Sequence, residues 1–527
     1  MVSEEVLTLE TYLNHPEGET GLDTRSLLAL TIFSDMAPIP SPTGHEGPMA
    51  DYLLNFAKAN HFEAKKDDIG NVAIWVPATP GYEDAPGLVL QTHQDGVPKG
   101  EEGKPNPAEF GIRPILKEID GELWLATDGT TLWADNRAGL AGSLAVALDK
   151  TSIHPNLILI FTVGEEKDMR GVDNFGFDID TDEYPVMWNL DTEDEGVIAK
   201  GSACAGYTDI SMPIQRESYT NQTLVQLHVE GSLDHRHSGL DIHLGRINAN
   251  KILARLMEAA IHEGIILQLV EMSDDNIDER GIETVTTKNS ICRIAEATLA
   301  IDPQDNQRVR SLVERLTNEM KDENQATDPD LQITLTPINL EQQGQIMPLT
   351  VDSTMKVITT IMGLPHGVID TVEGHPDQVL TSTNLAIAKI ANNELAFTLS
   401  LMSRAAIEED METVRASIEA KAHAFTRNIA QSHVIAGWTA NENYNMSAFL
   451  SQVYFDLFGE KLEERVYHAG LETGGFQLLL PDMDIKSFGM KIRGPHGTTE
   501  RMNLPSYYRF ITFLFASAQR YAENEKI

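Results

Sequence analysis

The chain has 527 residues, of which 41% are hydrophobic, so it is long enough for two domains that each have a core of their own. Its 80 acidic and 40 basic side chains give a formal net charge of -40, which argues against nucleic acids and anionic membrane surfaces as partners. No stretch approaches the roughly 18 apolar residues of a membrane span, the first residues lack the features of a secretion signal, and two cysteines are too few for a disulfide framework. We therefore expect a cytoplasmic protein.

The first 206 residues are predicted to alternate helices with short apolar strands. Residues 99–121, rich in Lys, Pro and Gly, are expected to form a loop, and Asp128-Gly129 is expected to turn a hairpin. The predicted helices are 26–36, 46–60 and 138–148. The predicted strands are 71–76, 87–92, 123–127, 156–163 and 184–190.

The apolar run at residues 156–163 is the feature around which the chain is organised. A continuous apolar run bounded by Pro155 and Gly164 predicts a strand that is buried on both faces, as in a parallel sheet. Glu165 and Glu166 follow it at once, and open α/β sheets carry their active sites at such strand ends. Four predicted strand ends present His93, Asp135, Glu165 with Glu166, and Asp191.

A change of composition after residue 206 marks a second predicted domain. Strands and amphipathic helices alternate from 207 to 435, which is typical of a smaller α+β domain inserted into the first. Its predicted elements are the strand 223–229, the helix 241–263, a polar linker at 273–283, the strand 396–403 and the helix 408–424. The first domain resumes at 436–527 with the helix 447–458, the strand 484–488 and the helix 507–523. We therefore expect an α/β fold with a mixed, mostly parallel sheet flanked by helices, interrupted by an inserted α+β domain.

The polar residues at the strand ends fit a pair of metal ions. Histidine and carboxylate ligands suit zinc, and two ions roughly 3.5 to 4 Å apart need a shared carboxylate with further ligands on each side. The candidate ligands are Asp135 as the bridge, His93 and Asp191 on one ion, and Glu166 and His496 on the other. Three carboxylates and one hydroxide would balance the four positive charges of two such ions.

Glu165 is left free of metal beside this predicted centre. A carboxylate next to a ligand can turn toward the bridging water, so Glu165 is the predicted general base. Asp95, two residues beyond His93, is predicted to orient that imidazole, and Asp135-Asn136 is the candidate for a strained or cis peptide. Each motif alone is more often a strand-end histidine, a helix N-terminus, a solvated loop or a turn. The joint arrangement carries the prediction.

The same residues carry a resemblance to a known family. Five stretches resemble the metal-site motifs of the dinuclear zinc exopeptidases, at residues 91–98, 131–136, 161–166, 189–196 and 492–496. Within this group the chain is most similar to the aminoacyl-histidine dipeptidase branch, which includes Xaa-His, cytosolic nonspecific and carnosinase-like dipeptidases. Residues 237–250 and 468–472 support that branch. The resemblance implies a zinc aminopeptidase-like catalytic domain that hydrolyses dipeptides such as Xaa-His with two zinc ions per subunit, for which Co²⁺ or Mn²⁺ can substitute.

The resemblance also implies that the inserted domain is a lid through which a homodimer forms and whose groups complete the site. In it, His243 resembles the histidine that supports the oxyanion, and Arg404 resembles the arginine that holds the terminal carboxylate of the substrate. Asn289 and Asn384 are further candidates for contact with substrate. For His237, a role at the substrate and a structural role at the strand-to-helix turn both stay open.

The chain departs from the family beside the predicted ligands. Arg137 and Trp133 stand where the family usually has glycine, and Gly164 stands where it has an acidic residue, so we expect an altered wall of the site. Two other functions stay open. One is a metal-dependent carboxypeptidase or N-acyl-amino-acid amidohydrolase with the same pair of metal ions. A dipeptidase would differ from it in having a pocket for the free amine of the substrate, and the acidic run 193–195 could supply that pocket. The other is a non-catalytic metal- or peptide-binding relative.

Overall fold

A computed structural model describes residues 7–14, 23–218, 222–232, 236–274, 276–277, 283–284, 288–338, 346–392, 394–439 and 445–523. The chain divides into two compact units, which we call the first unit and the inserted unit. The first unit comprises Met1–Gly201, Trp438–Val466 and Leu471–Ile527. The inserted unit comprises Ser202–Gly437 and Tyr467–Gly470. That the inserted unit acts as a lid and a dimerisation domain stays a prediction.

A nine-stranded mixed sheet forms the centre of the first unit. Its strand Leu88–His93 runs parallel to Leu157–Thr162 on one side and to Val186–Thr192 on the other, and Asp484–Gly489 continues the parallel part. All six residues of Leu157–Thr162 are buried, as the apolar run predicted. The remaining strands are Glu63–Lys66, Val72–Val76, Val197–Ser202, Trp438–Thr439 and Glu463–Tyr467. The mixed α/β sheet expected from the sequence is confirmed.

Helices cover this sheet. Thr24–Met36, Ala134–Leu148 and Leu504–Ala522 pack against one another, and Ala134–Leu148 also packs on the parallel strands. Its small residues permit this, since a Cβ at Gly139 would overlap the carbonyl oxygen of Leu190. The other helices of the first unit are Leu9–Leu13, Gly47–Ala59, Pro107–Phe110, Arg170–Asp173, Met446–Phe458 and Glu472–Leu479.

A second, four-stranded sheet of the first unit corrects two predictions. Its strands are Ile115–Ile119, Glu122–Ala126, Arg501–Asn503 and Ile492–Arg493. The loop predicted at 99–121 is wrong, because it contains the strand Ile115–Ile119, whose half-apolar sequence is surrounded by Lys, Pro and Gly. The hairpin turns at Asp120-Gly121, where both residues have the positive φ (54° and 79°) that a two-residue turn requires, and not at Asp128-Gly129.

The inserted unit contains two antiparallel sheets with helices packed on them. The four-stranded sheet consists of Leu267–Ser273, Ile294–Ile301, Thr223–Glu230 and Gln332–Pro337. The five-stranded sheet consists of Gly367–Val372, His375–Lys389, Ala396–Ala405, Cys204–Pro213 and Ile429–Ile435, and a two-stranded pair joins Asn276–Ile277 to Glu283–Thr284. The α-helices are Ala249–His262, Asn306–Glu323, Val351–Gly363 and Glu408–Ala422, and Ile242–Leu244 and Pro303–Asp305 are 3₁₀ turns.

The single helix predicted at 241–263 is wrong. It is interrupted after Ile242–Leu244, because Gly245 adopts a left-handed φ of 66°, and it restarts at Ala249–His262, where the Asn248 side chain accepts the N–H of Lys251 at 3.2 Å. Within the described part of the chain, no helix combines the length and apolar character needed to cross a membrane.

Candidate metal centre

The structure brings the five predicted ligands together at the carboxyl ends of the parallel strands. We call them the metal-ligand cluster: His93, Asp135, Glu166, Asp191 and His496. Three of them lie within four residues of the carboxyl ends of neighbouring strands of the mixed sheet. The fourth lies in the first turn of Ala134–Leu148, and the fifth follows the strand Ile492–Arg493. The arrangement thus collects residues that lie up to 403 positions apart, from 93 to 496, at one edge of the sheet.

Asp135 is shared between two groups of ligand atoms. Its Oδ1 lies 2.9 Å from His93 Nε2, and its Oδ2 lies 3.1 Å from His496 Nε2. His93 Nε2 is also 3.5 Å from Asp191 Oδ1, and His496 Nε2 is 2.7 Å from Glu166 Oε2. Within each group, ligand atoms lie within 4.8 Å of one another, and one carboxylate faces both groups. The bridging role predicted for Asp135 requires a position of this kind.

The backbone around Asp135 is unusual in the way the sequence analysis expected. The Asp135-Asn136 peptide is cis, which confirms that prediction, and Trp133 has a left-handed φ of 54°. The Asn136 side chain donates a hydrogen bond to the Asp191 carboxylate. These contacts join the helix start to the neighbouring strand end.

Glu500 is a residue that sequence reasoning missed. Its buried carboxylate accepts the backbone N–H groups of Leu132, Trp133 and Ala134, at 2.8, 3.1 and 2.8 Å. It therefore fixes the segment that ends in Asp135. The sequence contains only a weak signal for this role, its position four residues after His496.

Asp95 contacts His93 as predicted. His93 Nδ1 lies 3.1 Å from the Asp95 carbonyl oxygen and 3.5 Å from its Oδ1. The Asp95 carboxylate also accepts the backbone N–H groups of Glu165 and Glu166, at 3.2 and 3.4 Å, and the Thr43 hydroxyl at 2.9 Å. Asp95 thus contacts the imidazole mainly through its carbonyl oxygen, and its carboxylate holds the turn that carries Glu165 and Glu166.

Burial makes three carboxylates of this region hard to ionise without a cation, whereas the neighbouring histidines keep the pKa of Asp135 below its ordinary value. It raises the pKa of Glu166 to about 7 and that of Asp191 to about 6, and it raises the pKa of Glu165 well above the usual range. For His93, burial opposes the charged form, but the carboxylates of Asp191 and Asp135 outweigh it and hold the pKa of His93 well above its ordinary value. Buried carboxylates gathered around two imidazoles form an environment that favours bound cations.

Two departures from the family pattern have local explanations. The Arg137 guanidinium donates to the carbonyl oxygens of Met36 and Ile39, both at 2.5 Å, and stacks on Trp133. It therefore fixes the segment that follows the helix Thr24–Met36. Gly164 has a left-handed φ of 73°, and a Cβ there would lie 2.8 Å from the Arg170 side chain, so an acidic residue at this position would be strained.

In the inserted unit, four polar side chains form what we call the arginine cluster: His243, Ser382, Arg404 and His468. Arg404 is 3% exposed and lies opposite Ser382 in paired strands; its Nη2 contacts the Met402 sulfur, whereas its Nε and Nη1 have no hydrogen-bond partner among the described residues. The Ser382 hydroxyl lies 2.7 Å from His468 Nε2. Burial, with Arg404 and His243 close by, lowers the pKa of His468 to about 3.

The remaining predicted residues of the inserted unit contact the backbone. His237 Nδ1 accepts the N–H groups of Gly239 and Leu240, at 3.2 and 3.0 Å. The buried Asn384 side chain donates to the Ser290 carbonyl oxygen at 2.7 Å, and Asn289 is exposed, with its carbonyl oxygen accepting the N–H of Ser238. These contacts favour a structural role for His237.

The mixed sheet and the two histidine–carboxylate groups that share Asp135 fit the metallopeptidase class. The chain is 30% identical to the cytosol non-specific dipeptidase of Escherichia coli (strain K12) over 486 residues, which cover 92% of this chain and 95% of the relative. It therefore belongs to the cytosol non-specific dipeptidase family, and the expected peptide hydrolase is confirmed. No family model matches the chain.

Solved structures agree with this assignment. The aminoacylhistidine dipeptidase of Vibrio alginolyticus is 28% identical and matches with a TM-score of 0.73, over 96% of this chain and 98% of that one. A tripeptidase of Staphylococcus aureus matches with a TM-score of 0.55 over 95% and 100% of the two chains, and at 14% identity it supports the fold alone. The resemblance drawn from the five motifs is thereby confirmed.

Proposed function

We propose that the chain is a cytoplasmic dipeptidase that hydrolyses the amide bond of dipeptides such as Xaa-His with two zinc ions per subunit. The observation that carries the proposal is the Asp135 carboxylate, which faces one histidine–carboxylate group with each of its oxygens. The names of the relatives, a cytosol dipeptidase and an aminoacylhistidine dipeptidase, support the substrate class and the compartment.

The residues present fit the metal pair. His93 and Asp191 would hold one ion, Glu166 and His496 the other, and Asp135 would join them. Nitrogen and oxygen donors of this kind suit zinc and also admit Co²⁺ or Mn²⁺. When bound, such ions activate a water molecule as a nucleophile and polarise the scissile carbonyl.

Glu165 is the proposed general base. It lies in reach of the centre, since its carboxylate forms a further group with His93 and Glu166, and the N–H bond to Asp95 fixes its backbone. Its raised pKa suits a group that takes a proton from the attacking water and returns it to the leaving amine.

The arginine cluster is proposed to bind the carboxylate end of the substrate. Arg404 has two buried nitrogens without a partner among the described residues, and a guanidinium in that state is suited to a carboxylate. His243, exposed on its 3₁₀ turn, is the proposed oxyanion donor, and Asn289 and His237 are weaker candidates for substrate contact. A homodimer formed through the inserted unit belongs to the same proposal.

Product analysis by mass spectrometry tests the function. Purified, zinc-loaded protein is given an equimolar mixture of Xaa-His and other dipeptides, tripeptides and N-acetylated amino acids, beside a chelated control. We expect cleavage of dipeptides that chelation abolishes. Cleavage of the acetylated substrates instead would favour the amidohydrolase alternative, and no cleavage by metal-replete protein would favour a non-catalytic relative.

A further inference from the structure

An acidic run, Glu193 to Glu195, follows the strand that carries Asp191. Two of its three carboxylates are neutralised by arginines. Asp194 lies 2.8 Å from Arg465, and Glu195 lies 2.6 Å from Arg509. Over the described ranges of the chain, no side chain or backbone amide forms a hydrogen bond or ion pair with the carboxylate of Glu193. Among the described residues, the run therefore contains one carboxylate without a hydrogen-bond or ion-pair partner.

Glu193 is held beside the metal-ligand cluster. Its carbonyl oxygen accepts the N–H of Ile492 and the guanidinium of Arg493, both at 3.1 Å, so its backbone is fixed to the segment that leads to His496. Its carboxylate lies close enough to Asp135, Asp191 and His496 to interact with their charges, yet the residue stays partly exposed. Glu193 is therefore not sealed in the core next to these residues.

The charges of the site leave Glu193 without another task. Three ligand carboxylates and one hydroxide would balance two divalent cations, and Glu165 is the proposed base. Glu193 is a further acidic group, which neither the metal pair nor the proton transfer requires. A carboxylate at this position can pair with a cationic group of the bound substrate.

The dimensions of a dipeptide place such a cation near the metal ions. Its α-amino nitrogen is separated from the scissile carbonyl carbon by one Cα atom, a distance of about 2.5 Å. Any residue that recognises the amino group must therefore lie beside the carbonyl-binding centre, as Glu193 does.

We propose that Glu193 binds the free α-ammonium group of the dipeptide and thereby selects substrates with an unblocked amino end. The inference rests on the proposed dipeptidase function and assigns the residue that would separate it from an N-acyl amidohydrolase. A carboxylate–ammonium contact is present in both the ground state and the transition state, so it acts mainly on KM.

A cycle of two substrates and two variants tests this role. The substrates are alanyl-histidine and propionyl-histidine, which lacks only the amino group. The variants are Glu193→Gln and, as a matched control, Glu195→Gln, which makes the same change of charge in the same run. We expect Glu193→Gln to lower kcat/KM for alanyl-histidine by roughly 10- to 100-fold, mainly through KM, and to leave propionyl-histidine within about threefold. Glu195→Gln should leave the preference between the two substrates unchanged.

Three results would overturn the inference. They are an equal loss of kcat/KM on both substrates, no loss on either, and a loss of bound metal from Glu193→Gln. The last result would show that Glu193 contributes to metal binding. Failure of the proposed function itself has a different signature, because wild-type protein would then cleave neither substrate even with its metal in place.

Discussion

The metal-ligand cluster of the first unit and the arginine cluster of the inserted unit are polar regions of opposite character. The first gathers three carboxylates and two histidines, with Glu165 and Glu193 as additional acids, whereas the second surrounds one buried guanidinium with a serine and histidines. In the described residues, each region keeps a charge that the chain does not balance. Since a buried unbalanced charge lowers stability, each region indicates a ligand: cations in the first case and an anion in the second.

The largest effect on activity is expected from a substitution that removes the base and leaves the metal ligands in place. Glu165→Gln should lower kcat by about 10³-fold, because an amide cannot accept the proton of the attacking water, while metal content stays at the wild-type value. Activity assays and metal analysis of the same preparation measure both quantities.

Asp135→Asn provides the contrast to this variant. Because Asp135 faces both ligand groups, its replacement should lower the metal content as well as the activity. Near-normal turnover by Glu165→Gln, or full metal content in Asp135→Asn, would show that the roles assigned within the metal-ligand cluster are wrong.

A smaller effect is expected from the arginine cluster. Arg404→Met should lower kcat/KM by roughly 10- to 100-fold for a dipeptide with a free carboxylate, and by much less for the same dipeptide as its C-terminal amide. The ratio of the two rates measures recognition of the carboxylate and is insensitive to a general loss of active protein.

Arg415→Met is the matched control for this substitution. Arg415 is equally buried, at 3% exposure, but its guanidinium already donates to the carbonyl oxygens of Tyr207 and Ser432. It should lower stability without changing the acid-to-amide ratio. A shift of that ratio in Arg415→Met, or none in Arg404→Met, would contradict an anion site at Arg404.

Metal removal gives a pH-dependent effect of a few degrees in Tm. Burial raises the pKa values of Glu166 and Asp191 to about 7 and about 6, whereas both are near 4 in the unfolded chain. Between about pH 4 and these folded values, the metal-free folded state therefore binds more protons than the unfolded state. Metal-free protein should therefore lose stability as pH rises across this window, whereas bound cations favour the ionised carboxylates. The difference in Tm between zinc-loaded and metal-free protein should grow from about pH 5 to about pH 7. A constant difference would mean that these carboxylates do not respond to the metal.

The sequence was most informative where a functional residue follows a strongly apolar strand. His93, Glu166 and Asp191 could be placed together because the ends of parallel strands meet at one edge of a sheet. Glu500 could not be found in this way, since its contacts with residues 132–134 depend on a pairing of segments over 360 positions apart. Local backbone conformation was the second feature that the sequence did not predict. The left-handed Gly245 interrupts a segment whose apolar pattern predicts one continuous helix.

The smallest expected effect concerns His237, whose role the sequence left open. Its Nδ1 accepts two backbone N–H groups in the turn at 237–240, and an asparagine Oδ1 occupies nearly the same position relative to the backbone as this nitrogen. His237→Ala should therefore lower stability by about 1 kcal/mol, and His237→Asn should recover most of it, with kcat within about threefold of wild type in both variants. Thermal unfolding and steady-state kinetics measure the two quantities. If both variants instead lose activity at unchanged stability, His237 contacts the substrate, and the polar region of the inserted unit extends beyond the arginine cluster.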